Sequence, residues 1–175
     1  MGGPAPPSAH RLPPVVRHDA RVRVAFLAAV TLLASVAIGS ALGAPAGGRS
    51  AQQLVLELRA SGLPIGKIKV YTASTDGNHL LGRPGQYTGK VSFRDRRIRD
   101  GGAGYAVSSG GSLEVFATSG DARRRAAFVS SIFESASPAV PSEHDYVRGN
   151  VFLRLSHVLT PAQTRAYEAA LRRLA

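Results

Sequence analysis

Apolar positions recur at helical spacing after residue 50, and this spacing predicts the first element of a folded domain. Leu54, Val55 and Leu58 fall on one narrow stripe of a helix. Ser50 and Gln53 stand three residues apart at its start, as the two partners of a helix capping box do. The sequence therefore predicts an amphipathic helix that begins directly after Ser50.

The segment 121–135 predicts a second helix, because its first turn is acidic and its apolar residues share one face. That face is formed by Phe128, Val129, Ile132 and Phe133. The arginines at 123–125 are expected to be solvated charges on the same helix.

A third helix is predicted at the end of the chain. Thr160 is a favourable N-cap, Pro161 suits the first helical position, and Gln163 completes a capping box. The residues that follow give this helix a continuous apolar face, formed by Ala166, Tyr167, Ala170, Leu171 and Leu174.

Alternation of polar and apolar residues predicts the strands. Residues 67–72 alternate in this way, Val91 and Phe93 indicate a second strand, and residues 112–116 form a third. The segment 146–155 predicts the longest strand. Its two faces would be formed by Val147, Val151, Leu153 and Leu155 on one side, and by Arg148, Asn150 and Arg154 on the other.

The predicted order of elements is α-β-β-β-α-β-α, which belongs to the α+β class. The expected architecture is a small mixed or antiparallel sheet with its helices packed mainly on one face. The strand, helix and strand between residues 112 and 155 are long enough for a crossover unit. The opposite face of the sheet would be free for binding, and the Gly/Ser-rich segment 101–111 would be mobile.

An apolar run covers residues 22–42, behind a cluster of arginines and ahead of small residues at 43–48. A cationic flank, an apolar stretch and small residues are typical of an export signal. As an uncleaved helix, the run has about the 20 residues needed to cross a membrane, and the arginines would stay in the cytoplasm. As a signal peptide, it would be cleaved within 41–46. Both alternatives remain open.

The chain is therefore expected to have four parts. A basic region rich in proline and alanine covers residues 1–23, a signal peptide or transmembrane anchor covers 24–43, and a linker covers 44–50. Residues 51–175 form a single α+β domain outside the cytoplasmic membrane. That domain is either tethered by a single-pass helix or secreted after cleavage.

Composition narrows the partners of this domain. The chain has no cysteine, which excludes disulfides and thiol catalysis. Residues 51–175 hold 17 basic and ten acidic residues, a formal net charge of +7 that attracts anionic lipid or an anionic envelope polymer. Nucleic acid is not expected as a partner, because export separates the domain from the genome and no nucleic-acid motif is present.

Four segments together carry a resemblance to known proteins, namely 70–72, 76–87, 111–116 and 146–151. They resemble a group of small exported or lipid-anchored proteins of actinobacteria, to which no activity is assigned. The resemblance extends over residues 52–174, and the sequence NHLLGRPGQYT is its most specific part. It implies an exported single-domain protein. Such relatives often carry a lipid-accepting cysteine after the signal, which this chain lacks.

The turn at Asp76 is the first candidate for chemistry. Asp76 and His79 could be the acid/base pair of a small extracytoplasmic hydrolase. Alternatively, Asp76 caps backbone N–H groups of the turn and His79 anchors the loop. The segment 85–90 lacks the spacing of a phosphate-binding loop, and no Gly-x-Ser-x-Gly motif is present. Glu143 and Asp145 could converge on one side of an extended segment while His144 points to the other side, but a solvated entrance to a strand is favoured over a metal site. Neither a metal nor a cofactor is expected.

Six polar residues are predicted to bind a partner: Arg83, Tyr87, Glu114, Arg148, Asn150 and Arg154. Arg148 would hold a carboxylate or phosphate with two guanidinium nitrogens, and Asn150 has poor strand propensity. The alternative is an exposed sheet face held by weak cross-strand ion pairs. The leading hypothesis is a non-enzymatic domain that binds an anionic or protein partner through the sheet face and the loop 79–87. A hydrolase and an accessory component of a cell-envelope complex are the alternatives.

Overall fold

Helices and strands form most of the chain that the structure, a computed structural model, describes: residues 2–3, 48–99, 104–136 and 142–174. The helices are α1 (Ala51–Ala60), α2 (Ser119–Ser135) and α3 (Pro161–Leu174). The strands are β1 (Ile65–Val70), β2 (Tyr87–Asp95), β3 (Gly110–Phe116), β4 (His144–Arg148) and β5 (Val151–Leu155). A short 3₁₀ helix, Val107–Ser109, precedes β3.

The predicted apolar helix at 24–43 lies outside the described residues. Within them, no helix has both the length and the apolar character that crossing a bilayer requires. The residues from 48 to 174 that the structure describes belong to one compact unit.

Both capping predictions are confirmed. The Gln53 N–H donates to Ser50 Oγ at 3.2 Å, and the Ser50 N–H donates to Gln53 Oε1 at 2.8 Å. Thr160 and Gln163 form the same reciprocal pair ahead of α3, at 3.4 and 2.9 Å. A capping box satisfies its N–H groups within four residues, so it is visible in the sequence without knowledge of the fold.

All pairings among the five described strands are antiparallel, and their order across the sheet is β1-β2-β3-β5-β4. The α+β class and the antiparallel alternative are therefore confirmed. β3 and β4 run in the same direction with β5 between them, and α2 is the crossover that joins them. The element order has one strand more than predicted.

The prediction of one continuous strand at 146–155 is wrong, because this segment contains parts of two strands, β4 and β5. The chain reverses at Gly149 and Asn150, which form the turn of a β4–β5 hairpin. Gly149 has a φ of 53°, a left-handed conformation that glycine adopts without a Cβ clash. Asn150 is therefore a turn residue, which explains why a residue with low strand propensity stands at this position.

The hairpin also changes which side chains share a face. Val147 pairs with Phe152, while Arg148 pairs with Val151. Directly paired residues share a face, and successive residues alternate. Val147 and Val151 thus lie on opposite faces, and Arg148 does not share a polar face with Arg154.

Apolar cores lie on both faces of the sheet, so the prediction that one face is free is wrong. α1 and α3 pack on one face, against a core that includes Val91, Phe93, Leu113 and Leu153. α2 and the loop between β1 and β2 cover the other face, around Tyr87, Phe116, Val129 and Phe152. Two of the three described helices do share a face, but α2 lies on the face that was expected to be open.

The prediction of a mobile segment at 101–111 is wrong at its C-terminal end. Gly110 and Gly111 begin β3, in which all seven residues are buried. A Cβ on Gly111 would lie 2.6 Å from the carbonyl oxygen of Arg154, closer than any real contact. Glycine is therefore required there by close strand packing. Residues 101–103 lie outside the described part of the chain.

Candidate functional site

Charged side chains of neighbouring strands lie side by side on the face that α2 covers. Lys90 of β2 pairs with Glu114 of β3, and Ser112 of β3 pairs with Arg154 of β5. Since positions two apart on a strand share a face, Glu114 and Arg154 lie on the same side of the sheet.

Asp76 is fully buried and accepts four hydrogen bonds. Its Oδ2 accepts from the Tyr87 hydroxyl at 2.5 Å and from the N–H groups of Leu80 and Leu81 at 3.0 and 3.2 Å. Its Oδ1 accepts from Lys90 Nζ at 2.8 Å. Burial alone would raise the pKa of Asp76, but the hydrogen bonds from Lys90 and Tyr87 outweigh it and hold the pKa well below its usual range. This carboxylate fixes the loop 76–87 to the sheet.

His79 is not part of that network. Its side chain is exposed, and only its backbone N–H reaches Asp76, by donating to the carbonyl oxygen at 2.9 Å. Its φ of 54° is that of a tight turn. The structure thus does not assemble Asp76 and His79 as an acid/base pair. The arrangement matches the alternative, in which Asp76 caps backbone N–H groups.

Glu114 and Arg125 form a buried ion pair between β3 and α2. Arg125 Nε lies 3.3 Å from Glu114 Oε2, and the two side chains are 10% and 0% exposed. Within the described residues, Glu114 Oε1 is buried without a hydrogen-bond partner. The side-chain hydrogen bond of Arg125 there is the one from Nε to Glu114, and its terminal nitrogens are open to solvent rather than buried. The guanidinium lies 5.9 Å from the ring centre of Tyr87 and 5.6 Å from that of Phe128, within cation–π range. Packing holds this guanidinium, while part of its hydrogen-bonding capacity is unused.

Arg154 is engaged by carboxylates instead. Its Nε and Nη2 lie 2.8 and 2.7 Å from Glu143 Oε2, and Asp145 is its cross-strand partner. Loss of hydration raises the pKa of Asp145 to about 6, because attraction to Arg154 does not offset it and the carboxylates of Glu143 and Glu114 add repulsion. Burial likewise raises the pKa of Glu143. Arg154 therefore has little uncompensated charge to offer a ligand.

A cavity of about 380 Å³ opens beside Arg125. Its polar lining is Asn78, Arg125 and Arg154, and its apolar lining is Leu80, Phe128, Val129, Ile132 and Phe133. Phe128 and Ile132 are 56% and 51% exposed, so the predicted apolar face of α2 is only partly buried. The volume falls within the range of about 300–1,000 Å³ that is usual for small-molecule sites.

The two predicted binding residues of the loop 76–87, Arg83 and Tyr87, do not line this cavity. Arg83 is exposed. Tyr87 is fully buried, and burial together with its hydrogen bond to Asp76 raises its pKa. Tyr87 is therefore a structural residue that remains protonated at physiological pH.

The predicted residues of the β4–β5 hairpin also lie elsewhere. Arg148 is exposed at the end of β4 and belongs to the sheet face opposite Arg154. Asn150 Nδ2 donates to the Phe116 carbonyl oxygen at 2.6 Å. Asn150 thus joins the hairpin turn to the end of β3. Of the six predicted binding residues, Tyr87, Glu114 and Arg154 lie on the sheet face that α2 covers, whereas Arg148 lies on the opposite face.

Arg125 is the residue that the sequence prediction missed. The expectation of solvated arginines agrees with the exposure of Arg123 and Arg124 but is wrong for Arg125. A signal for it exists, because Arg125 lies three residues after buried Ala122 and four before buried Val129. Residues at those spacings share one face of a helix, so Arg125 belongs to the inward face.

The polar groups of the cavity can hold an acceptor rather than a metal ion. Two guanidinium groups and an amide face it, and guanidinium nitrogens only donate hydrogen bonds. Throughout the described ranges, no three histidine, cysteine, aspartate or glutamate side chains lie close enough to bind a metal.

No family model, characterised protein or solved structure matches this chain. The resemblance to small exported proteins of actinobacteria therefore stays a prediction. The geometry around Arg125 is the basis on which a function can be argued.

Proposed function

We propose that this chain is a non-enzymatic binding domain that works outside the cytoplasmic membrane and takes an anionic group into the cavity beside Arg125. One observation carries the proposal. The Arg125 side chain is nine-tenths buried and lines the cavity, yet its terminal nitrogens have no acceptor among the described residues. These nitrogens are open to water at the cavity rather than fully buried, so a carboxylate or phosphate would exchange their hydration for a charge-assisted hydrogen bond from the guanidinium.

The preference for Arg125 over Arg154 follows from their partners. Glu143 already occupies two nitrogens of Arg154 at short distance, and Asp145 lies beside it. Arg125 has one partner, Glu114, at 3.3 Å and through Nε alone. Its terminal nitrogens form the fork that matches the two oxygens of a carboxylate or phosphate. Asn78 adds an amide at the same cavity.

Binding is favoured over hydrolysis by the state of the candidate catalytic residues. Both carboxylate oxygens of Asp76 are occupied by donors, and His79 is exposed away from them. A general base needs a free acceptor within hydrogen-bond reach of the substrate proton. The polar groups of the cavity orient an anion but do not accept a proton.

The location outside the membrane rests on the sequence alone. The apolar run at 22–42 follows a cluster of arginines, and small residues follow it. Whether the run remains as an anchor or is cleaved, residues 51–175 would be exported. The formal charge of +7 on this part would concentrate anions near its surface.

Titration with sodium acetate tests the binding site. The full chain, in phosphatidylcholine nanodiscs at low ionic strength, would be followed by NMR through its backbone amide and arginine Nε–H signals. Saturable shifts are expected at Arg125 and in residues 78–80 and 125–133. Arg125→Gln should abolish them, whereas Arg123→Gln removes the same charge from an exposed side chain of α2 and should not.

Because Arg125→Gln leaves Glu114 buried without a partner, the double substitution Glu114→Gln with Arg125→Gln provides a second variant. It removes both charges together and avoids an uncompensated buried carboxylate. Saturable binding that persists in the double variant, or shifts spread over all arginines without saturation, would refute the proposed site.

A further inference from the structure

The lining of the cavity is apolar on the part of α2 that follows Arg125. Phe128 and Ile132 follow Arg125 by three and seven residues, which places them about 4.5 and 10.5 Å farther along the helix axis. The apolar wall is completed by Leu80, Val129 and Phe133. A molecule held at Arg125 would therefore extend over an apolar surface if its remainder followed the helix.

Resting on the proposed function, we infer that the ligand is an aliphatic monocarboxylate, with its carboxylate on Arg125 and its chain along Phe128 and Ile132. Such a ligand would contact both the guanidinium nitrogens that are open to solvent and the exposed apolar side chains of α2.

The local charge favours a single negative charge at the head of the ligand. Arg125 is paired with Glu114, and Arg154 with Glu143 and its cross-strand neighbour Asp145, so the two cations of the cavity already have three carboxylates near them. A carboxylate matches the planar fork of Arg125 and adds one charge. A phosphate monoester would add up to two charges beside the buried Glu114 and would meet stronger repulsion.

The position of the exposed apolar residues favours an aliphatic chain. The described part of the molecule exposes five large apolar side chains: Leu56, Val70, Phe128, Ile132 and Val158. Phe128 and Ile132 are the two that share a cavity, and they stand one turn apart on α2. Scattered exposed apolar residues are normal, whereas two in one cavity with a cation at its end form an amphipathic binding surface.

A chain-length series tests this inference. The full chain in phosphatidylcholine nanodiscs would be titrated with acetate, butanoate, hexanoate and octanoate. The expected result is a dissociation constant that falls by about fourfold for each added methylene that the cavity covers. Octyl phosphate should bind more weakly than octanoate, and 1-octanol should bind weakest, because it cannot accept a charge-assisted hydrogen bond from both terminal nitrogens.

Three variants distinguish the contribution of the carboxylate from that of the aliphatic chain. The double substitution Glu114→Gln with Arg125→Gln should weaken octanoate binding at least tenfold. Ile132→Ser changes an exposed side chain, so the fold is retained, and it should reduce the gain per methylene while acetate still binds. Arg123→Gln is the matched control and should bind the whole series as the wild type does, with equal partition of each compound into the bilayer.

The outcomes distinguish this inference from the function on which it rests. Equal affinity for acetate and octanoate, both lost in the double variant, would overturn the aliphatic chain and leave the anion site intact. Tighter binding of octyl phosphate than of octanoate would overturn the choice of carboxylate. Octanoate binding that is unchanged in the double variant, or no binding of any carboxylate, would overturn both.

Discussion

Asp95 repeats, on the face covered by α3, the arrangement found at Asp76. It is buried, accepts from the Tyr167 hydroxyl at 2.8 Å, and receives Nε and Nη2 of Arg97 at 2.9 and 2.6 Å. Burial would raise the pKa of Asp95, but the Arg97 hydrogen bonds lower it overall. Each carboxylate thus accepts hydrogen bonds from a tyrosine and from a positively charged side chain. Asp76 joins its loop to β2, and Asp95 joins β2 to α3. Such hydrogen-bonded pairs hold the fold together, and both side-chain oxygens of Asp76 are engaged in this way.

The substitution Asp76→Ala is expected to destabilise the protein by about 3–5 kcal/mol, because it leaves the mostly buried Lys90 ammonium without its partner. Tyr87→Phe removes the charge-assisted hydrogen bond to Asp76 together with the weaker one from Asn78 Nδ2 at 3.3 Å, and should cost about 1.5–3 kcal/mol. Urea unfolding measures both. A loss below about 1 kcal/mol for Asp76→Ala would contradict the structural role assigned to this residue.

Asp76 should also make the stability of the protein depend on pH. The folded pKa of Asp76 lies below the unfolded value of 3.8, so its stabilisation is complete above pH 3.8 and is lost as the pH falls further. The difference in unfolding free energy between the wild type and Asp76→Ala should therefore shrink in acid below pH 3.8. A difference that stays constant down to pH 2 would argue against an ionised Asp76.

Asp145 should behave in the opposite way, because its pKa is raised from 3.8 to about 6. The folded state binds the proton more tightly, so the stability of the wild type falls as the pH rises from 3.8 to 6. Asp145→Asn should remove this slope and stabilise the protein at pH 7. Solvent reaches the side chain, so the expected gain is below about 1 kcal/mol. Urea unfolding at pH 4 and pH 7 measures it, and a variant less stable than the wild type at pH 7 would refute the effect.

At the scale of elements, the sequence predicts local features well and the long-range ones poorly. Both capping boxes and all three described helices are visible in the sequence because each is decided within one or two turns. The β4–β5 hairpin is missed because a two-residue turn interrupts the alternation of valines only briefly, although Gly149-Asn150 is itself a hairpin turn signal.

The candidate site illustrates the same limit. Glu114 and Arg154 are predictable as strand residues on one face. Arg125 is not paired with Glu114 by any sequence rule, because the contact depends on how α2 crosses the sheet. Its inward direction is predictable from the spacing to Ala122 and Val129, but its partner and the cavity beside it are properties of the tertiary structure.

The central strand β3 packs so closely on its neighbours that position 111 accommodates only glycine. Gly111→Ala is expected to destabilise the protein by at least about 1–3 kcal/mol, because the new Cβ would lie 2.6 Å from the Arg154 carbonyl oxygen and from the Phe93 ring. Gly77→Ala is the control, since a Cβ there meets nothing within 4 Å. Thermal unfolding of both variants measures the effect, and equal midpoints would show that β2, β3 and β5 can separate without cost.

At the scale of the whole molecule, the domain and the N-terminal region carry different parts of the proposal. In the proposal, the Arg125 cavity would bind the ligand, and the apolar run at 22–42 would determine on which side of the membrane the ligand is bound. Both parts carry positive charge, but the arginines before the run would be retained in the cytoplasm. The side of the membrane on which residues 51–175 lie is therefore the property that decides which ligands the cavity can meet.

The absence of cysteine makes that property directly measurable. A single Ala73→Cys substitution, at an exposed position between β1 and β2, should react with a membrane-impermeant maleimide in intact cells. Ala9→Cys, ahead of the apolar run, should react only after lysis if the run is retained, and should be missing from the mature protein if the run is cleaved. The unsubstituted chain gives the background, because it has no thiol to label. Protection of Ala73→Cys until lysis would show that the domain stays in the cytoplasm, and the ligand of the Arg125 cavity would then have to be sought among cytoplasmic carboxylates.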